Sequence, residues 1–169
     1  MNRPNNSAPK FIVFLDFDGV LHPLKASEHE KFKPEAIQSV NRILDELEAN
    51  IVLSTAWRMD FGIEKFNKWF KDRIIDSTPV HELNLQKKTP RFHEIMDFLK
   101  NSKWQHVPWV AIDDKRSHFP CNSPAYITDA NVGITDQDAD NIILIGQSMK
   151  FAQRALLERG AVLNANLQI

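Results

Sequence analysis

Cysteine occurs once, at Cys121, in a chain of 169 residues, which excludes an internal disulfide framework and a cysteine-built zinc site. Glycine is scarce as well, with 5 residues beside 9 prolines, so neither a collagen-like repeat nor extensive disorder fits the composition. An excess of one charge is missing: 21 Lys and Arg stand against 22 Asp and Glu, a formal net charge of -1. A chain so balanced has no overall attraction to nucleic acid or to an anionic membrane, and only a local basic patch could supply one. Long apolar runs are absent too, since those around Phe11–Leu15 and Ile142–Ile145 are far too short to span a bilayer. What remains is a chain 43% hydrophobic and 25% charged, able to bury a real core and sized for one domain. Residues 1–9 are expected to form a flexible polar tail with no signal-peptide core, and residues 10–169 a single domain in the cytoplasm.

Lys10 to Asp16 reads as a strand apolar on both faces, which suits the interior of a parallel sheet. A polar loop follows from Pro23 to Lys33. Pro34 opens a helix whose apolar residues Ile37, Val40, Ile43, Leu44 and Leu47 recur at helical spacing, with Asn50 ending it. Ile51-Val52-Leu53 is a second buried strand running into Ser54-Thr55. Phe61 to Phe70 predicts another helix, Arg73-Ile74-Ile75 a short strand, and Ser77 to Lys88 a loop. Thr89 caps and Pro90 begins a helix with Phe92, Ile95, Met96 and Leu99 on one side. Val107 to Ile112 makes a strand leading straight into Asp113-Asp114, and Ala125 to Thr128 one more. Helix fills the remainder from about Asp136, with its continuity through Gly146 left open. Strands alternating with helices predict an α/β fold, a mainly parallel sheet covered on both sides. Ligands of such sheets bind beyond the carboxyl ends of the strands. Asp16/Asp18, Ser54/Thr55 and Asp113/Asp114 all fall at those ends.

Asp16-Phe17-Asp18-Gly19 alone would pass for a turn, the commonest use of such residues. Here, however, the acids directly follow an apolar strand. In an extended backbone, residues two apart share a face at ~3.3 Å per residue, so their carboxylates repel unless a cation or a shared proton relieves them. Asp113-Asp114 alone reads as a solvated acidic turn before Lys115-Arg116; together with the first pair it supplies oxygen ligands from a second strand. Hard oxygen donors without a cysteine or histidine cluster select Mg²⁺ rather than zinc. Ser54 and Thr55 are either helix-capping hydroxyls or phosphate donors, and Arg58 either grips an anion or pairs with a surface acid. Lys87, Lys88 and Arg91 crowd the start of the third helix, where cations oppose the helix dipole by ~0.3–1 kcal/mol unless an anion binds there. Lys87 suits a solvated loop, and Arg91, fixed in helical register, is the leading cation.

Taken in order, Phe14-Leu15-Asp16-Phe17-Asp18-Gly19-Val20, then Ile51-Val52-Leu53-Ser54-Thr55, then Arg91, then Ala111-Ile112-Asp113-Asp114, the chain resembles the haloacid dehalogenase-like (HAD) superfamily. The Ser-Thr-Ala-Trp-Arg stretch and Thr89-Pro90-Arg91 before Glu94-Ile95 resemble, more narrowly, the HAD domains of Swiss Army Knife RNA repair-like proteins. The resemblance implies a Rossmann-like three-layer α/β/α sandwich. It implies Asp16 as a nucleophile forming an aspartyl-phosphate, and Asp18 as the acid that protonates the leaving oxygen and then activates water. It implies Thr55, or alternatively Ser54, on the phosphoryl group, and Arg91 where a Lys is commoner, with Lys88 as rival. Mg²⁺ would be held by Asp16, the Asp18 backbone carbonyl, Asp113 and Asp114. The intervals between motifs leave no room for a large cap domain, so the site is expected to be open, with the Pro23–Lys33 loop as a partial lid.

The expected activity is therefore a Mg²⁺-dependent phosphomonoesterase acting on a small phosphorylated molecule or a nucleic-acid end. Lys65, Lys68, Lys71, Arg73, Lys87 and Lys88 are candidates for a local basic face, although solvated helix surface explains the first three equally well. Alternatives are a phosphoacceptor signalling domain, a metal-dependent nuclease, or a non-catalytic binding domain on the same fold. The order of the motifs disfavours the signalling domain, because both acids of the Asp-x-Asp pair follow the first strand. Nothing in the sequence identifies a protein partner or a membrane-binding segment.

Overall fold

The structure is a computed structural model that describes residues 9–81 and 89–166, with side chains as far as Arg159. Strand β1 (Phe11–Leu15) leads to helix α1 (Pro34–Leu47), β2 (Ala49–Leu53), the short helix α2 (Glu64–Asn67) and β3 (Ile74–Ser77). Helix α3 (Pro90–Asn101), β4 (Trp109–Asp113), β5 (Ala125–Ile127) and α4 (Asp136–Asn166) complete the order. The sheet has 5 strands in the order β3-β2-β1-β4-β5, and every pairing is parallel. The chain builds outward from β1 to one edge and then returns to build outward on the other side. That reversal beside β1 is the switch point where open α/β sheets bind ligands.

β1 is buried along its whole length because its alternate residues feed two different cores. Phe11, Val13 and Leu15 join Ile51, Leu53, Val110 and Ile112 beneath α1 and α4. Ile12 and Phe14 join Val52, Ala111 and the α3 residues Ile95, Phe98 and Leu99. The result is the expected α/β/α sandwich. Among the described residues, no additional folded unit stands over the strand ends.

The elements depart from the sequence expectation chiefly in three places, and they settle a fourth point that the sequence left open. Helix α1 stops at Leu47, because Glu48 turns left-handed (φ 51°) and lets buried Ala49, not Ile51, begin β2 opposite Phe11. The helix expected over Phe61–Phe70 shrinks to Glu64–Asn67. Phe66 and Phe70 are held by the core, Lys71 and Asp72 turn left-handed, and the Asn67 side chain accepts from the Ile74 amide (2.9 Å) instead of continuing the helix. On α3, Met96 is exposed and Glu94 takes an inward position, for an electrostatic reason given below. Helix α4 runs unbroken through Gly146, where a Cβ would come within 2.5 Å of Leu47 Cδ1; the missing side chain lets α4 lie close on α1. Residues 1–8 of the expected tail, and both Lys87 and Lys88, lie outside the described residues.

Candidate active site

The carboxyl ends of β1 and β4 are neighbours, and their acids meet. The Asp16 amide donates to Ile112 O (3.0 Å), carrying the parallel pairing one step past β1. One oxygen each of Asp16, Asp113 and Asp114 lie within 4.8 Å of one another. Asp16 and Asp113 are buried, so their repulsion is poorly screened. Burial, then the charge of Asp113, pushes the Asp16 carboxyl up to about 7, against the opposing pull of Arg91, the Phe17 amide and the Thr55 hydroxyl. Asp114 is also raised, by burial and by Asp113. Three carboxylates gathered this closely fit a hard divalent cation, which takes oxygen ligands and relieves the repulsion that raises Asp16.

The surrounding groups hold that cluster in place. Asp113 Oδ1 accepts from the Lys115 amide (2.8 Å), and Nδ1 of His118 lies 3.2 Å from the same oxygen. Gly19 has φ 72°, and a Cβ there would lie 2.6 Å from Asp114 Cβ, so only glycine lets both backbone and acid occupy this place. The Thr128 hydroxyl donates to Gly19 O (2.8 Å) and pins the turn to the end of β5.

The Asp18 side chain is not in that group. The backbone leaves the strand at Leu15, and the Val20 and Leu21 amides fold back onto Phe17 O (3.1 and 2.8 Å), so the extended geometry that would stack Asp18 over Asp16 ends before it applies. The Asp18 carboxylate instead lies between His22 Nε2, 3.0 Å from Oδ1, and the Trp57 indole N–H, 3.0 Å from Oδ2.

β2 delivers the hydroxyls. The Ser54 amide donates to Leu15 O (2.9 Å), which locks the two strand tips together. Thr55 is fully buried, its hydroxyl lies close enough to pull against the rise of Asp16, and its oxygen accepts from the Trp57 amide (3.4 Å) as the cap of a short turn. Ser54 is buried, and its hydroxyl has no hydrogen-bond partner among the described residues. Arg91, in the first turn of α3, is close enough to act on Asp16 and lies 3.2 Å from Glu94 Oε2. Arg58 belongs to neither alternative open at the sequence level. Its guanidinium is buried, donates to the carbonyls of Thr55, Thr78 and Pro79, and pairs with Glu94 at 2.7 Å. That ion pair is why Glu94 replaces Met96 on the inward side of α3.

His22 and His118 are residues that sequence patterns did not single out, and Glu94 entered only as part of the pattern after Arg91, with no role. Glu94 had a legible signal, an acid three residues after Arg91 on one helix. The two histidines had none, because loop geometry alone brings them to Asp18 and Asp113. The supposed basic face is largely spent locally: Lys71 and Arg73 pair with Asp45, while Lys65 and Lys68 lie over Phe61 and Trp69. Among the described residues, no helix is long and apolar enough to cross a membrane.

No curated protein and no solved structure matches the chain. Residues 12–139, which carry every motif from β1 to the start of α4, match the family described as the HAD domain in Swiss Army Knife RNA repair proteins. With motifs at three tips of one parallel sheet and at the start of α3, and most of its length matched, the chain belongs to that family of HAD-type hydrolase domains.

Proposed function

We propose that the protein is a Mg²⁺-dependent phosphomonoesterase working through an aspartyl-phosphate on Asp16. The observation that carries this reading is the buried Asp16 carboxylate, grouped with Asp113 and Asp114 and flanked by the Thr55 hydroxyl and Arg91. Asp16, Asp113 and Asp114, with the Asp18 backbone carbonyl, would hold Mg²⁺. The ion would supply positive charge between a carboxylate and a phosphate ester that otherwise repel.

Asp16 attacks phosphorus, the bond from phosphorus to the ester oxygen breaks, and Asp18 gives its proton to that oxygen. Water then attacks the aspartyl-phosphate, its proton passes to Asp18, and cleavage of the phosphorus–Asp16 oxygen bond releases inorganic phosphate. Both side chains end as they began. Thr55 and Arg91 stabilise charge on the phosphoryl oxygens in each step, and Ser54, with a spare buried hydroxyl, is the alternative donor. Lys88 is the alternative cation.

The proposed substrate is a nucleotide or a nucleic-acid-end phosphate. The ester oxygen leaves on the Asp18 side, and there the Trp57 ring lies beside the exposed Phe61. Aromatic rings beside a phosphate-handling site suit stacking of a nucleobase. The family's description points the same way. With Mg²⁺, the protein is expected to release phosphate from an aryl phosphate and from phosphorylated oligonucleotides, and chelation is expected to stop it. Asp16→Asn is expected to abolish release without unfolding. Undiminished turnover by that variant would remove Asp16 as nucleophile, and rapid turnover of a sugar phosphate with none of any nucleotide would remove the substrate class.

A further inference from the structure

Asp18 has to move protons in both directions, yet its side chain is 38% exposed at a strand tip, where a free carboxylate would sample several rotamers. Two donors prevent this, one on each oxygen. On one side is the Trp57 indole N–H. On the other is His22, only 1% exposed and therefore unable to swing out. The Phe32 amide donates to Nδ1 of His22 (3.3 Å), which leaves the ring proton on Nε2 to be given to Asp18 Oδ1. The imidazole edge also packs on the rings of Phe32 (5.2 Å) and Trp57 (6.4 Å). Phe32 itself has φ 57°, a left-handed conformation costly for a bulky residue that aims its amide at the imidazole.

We infer that His22 is a positioning residue for the proton-transfer group: held by the Phe32 amide, it clamps Asp18 opposite Trp57. This leaves free the lone pairs that meet the leaving oxygen and the attacking water. The clamp also ties the segment from Pro23 to Lys33 to the chemistry, because that segment ends where Phe32 grips the ring and Lys33 donates to Leu21 O (3.0 Å). The inference rests on the phosphatase reading above and adds a residue which that reading does not use.

The test compares wild type, His22→Phe and His22→Gln with Mg²⁺, on 4-nitrophenyl phosphate and on an alkyl phosphate. A nitrophenolate leaves without a proton, so only hydrolysis of the intermediate then needs Asp18. For His22→Phe we expect kcat on the aryl ester to fall ~10–100-fold, part of the ~10²–10⁴-fold a positioned acid–base group contributes. KM should fall with it, kcat/KM should hold, and a pre-steady-state burst should appear. On the alkyl ester kcat/KM should fall as well. His22→Gln, which returns an N–H near the position of Nε2, should recover most of the loss. A folded His22→Phe variant with unchanged kcat overturns the inference, as does one that loses kcat/KM on both esters alike without a burst. If His22→Phe does not fold, His22→Asn decides, because its shorter amide can still accept from the Phe32 amide but does not reach Asp18 Oδ1: it must show the pattern expected of His22→Phe, and wild-type kinetics in it overturn the inference. Failure of the phosphatase reading is separable, because the wild type then releases no phosphate or Asp16→Asn remains active.

Discussion

Glu94 is a single carboxylate, 6% exposed, serving two arginines. Arg58 on one side fixes the turn after β2 through carbonyls at both strand ends, and Arg91 on the other reaches towards Asp16. Removing one partner of a buried ion pair strands the other charge. Glu94→Ala is therefore expected to cost ~3–5 kcal/mol in urea unfolding. Where the variant still folds, KM for any phosphate ester should rise, because Arg91 loses the group that aims it. Gly19→Ala acts on the other side of the site. The added methyl meets Asp114 at 2.6 Å on a left-handed backbone, so Mg²⁺ affinity by calorimetry is expected to drop well below wild type. At this scale the sequence was only partly legible. Residues adjoining strands could be placed at a common edge from the apolar runs before them. Partners recruited by loops, such as His22 and His118, could not, because no periodicity governs a loop's path.

The strand tips of β1, β2 and β4 converge because their registers are aligned: Leu15 lies opposite both Leu53 and Ile112. Asp16, Ser54 and Asp113 follow those three residues directly. This alignment is what made the candidate site legible in the linear sequence, since each apolar run stops directly before a polar residue of the cluster. α1 was equally readable from its apolar spacing. α2 was not, because Phe61, Phe66 and Trp69 serve an aromatic cluster with Phe17, Phe32 and Trp57, whose packing overrides helical propensity. The contact of α1 with α4 depends on Gly146. Gly146→Val would drive a side chain into Leu47, and overpacking of this kind is expected to cost about 1–3 kcal/mol, seen as a lower unfolding midpoint.

Over the whole molecule, stability and chemistry pull against each other at Asp16. Its carboxyl is raised from 3.8 to about 7 in the folded, metal-free protein, so the fold holds a proton that the unfolded chain releases. The resulting stabilisation is complete below about pH 3.8, declines as pH rises, and is gone above about pH 7. A cation binding the ionised cluster competes with that proton. Thermal unfolding should accordingly show Mg²⁺ raising Tm more near pH 8 than near pH 5. Asp16→Asn should raise the metal-free Tm at the higher pH and flatten this dependence. Equal Mg²⁺ stabilisation at both pH values would break the link between the buried acid and the ion.

Acid quenching during turnover, followed by borohydride reduction and peptide sequencing, bears most directly on the covalent role of Asp16. Reduction converts an aspartyl-phosphate to homoserine, and the account predicts homoserine at position 16, dependent on both Mg²⁺ and substrate. Steady phosphate release with position 16 still aspartate, or with homoserine at position 18, 113 or 114 instead, would contradict it.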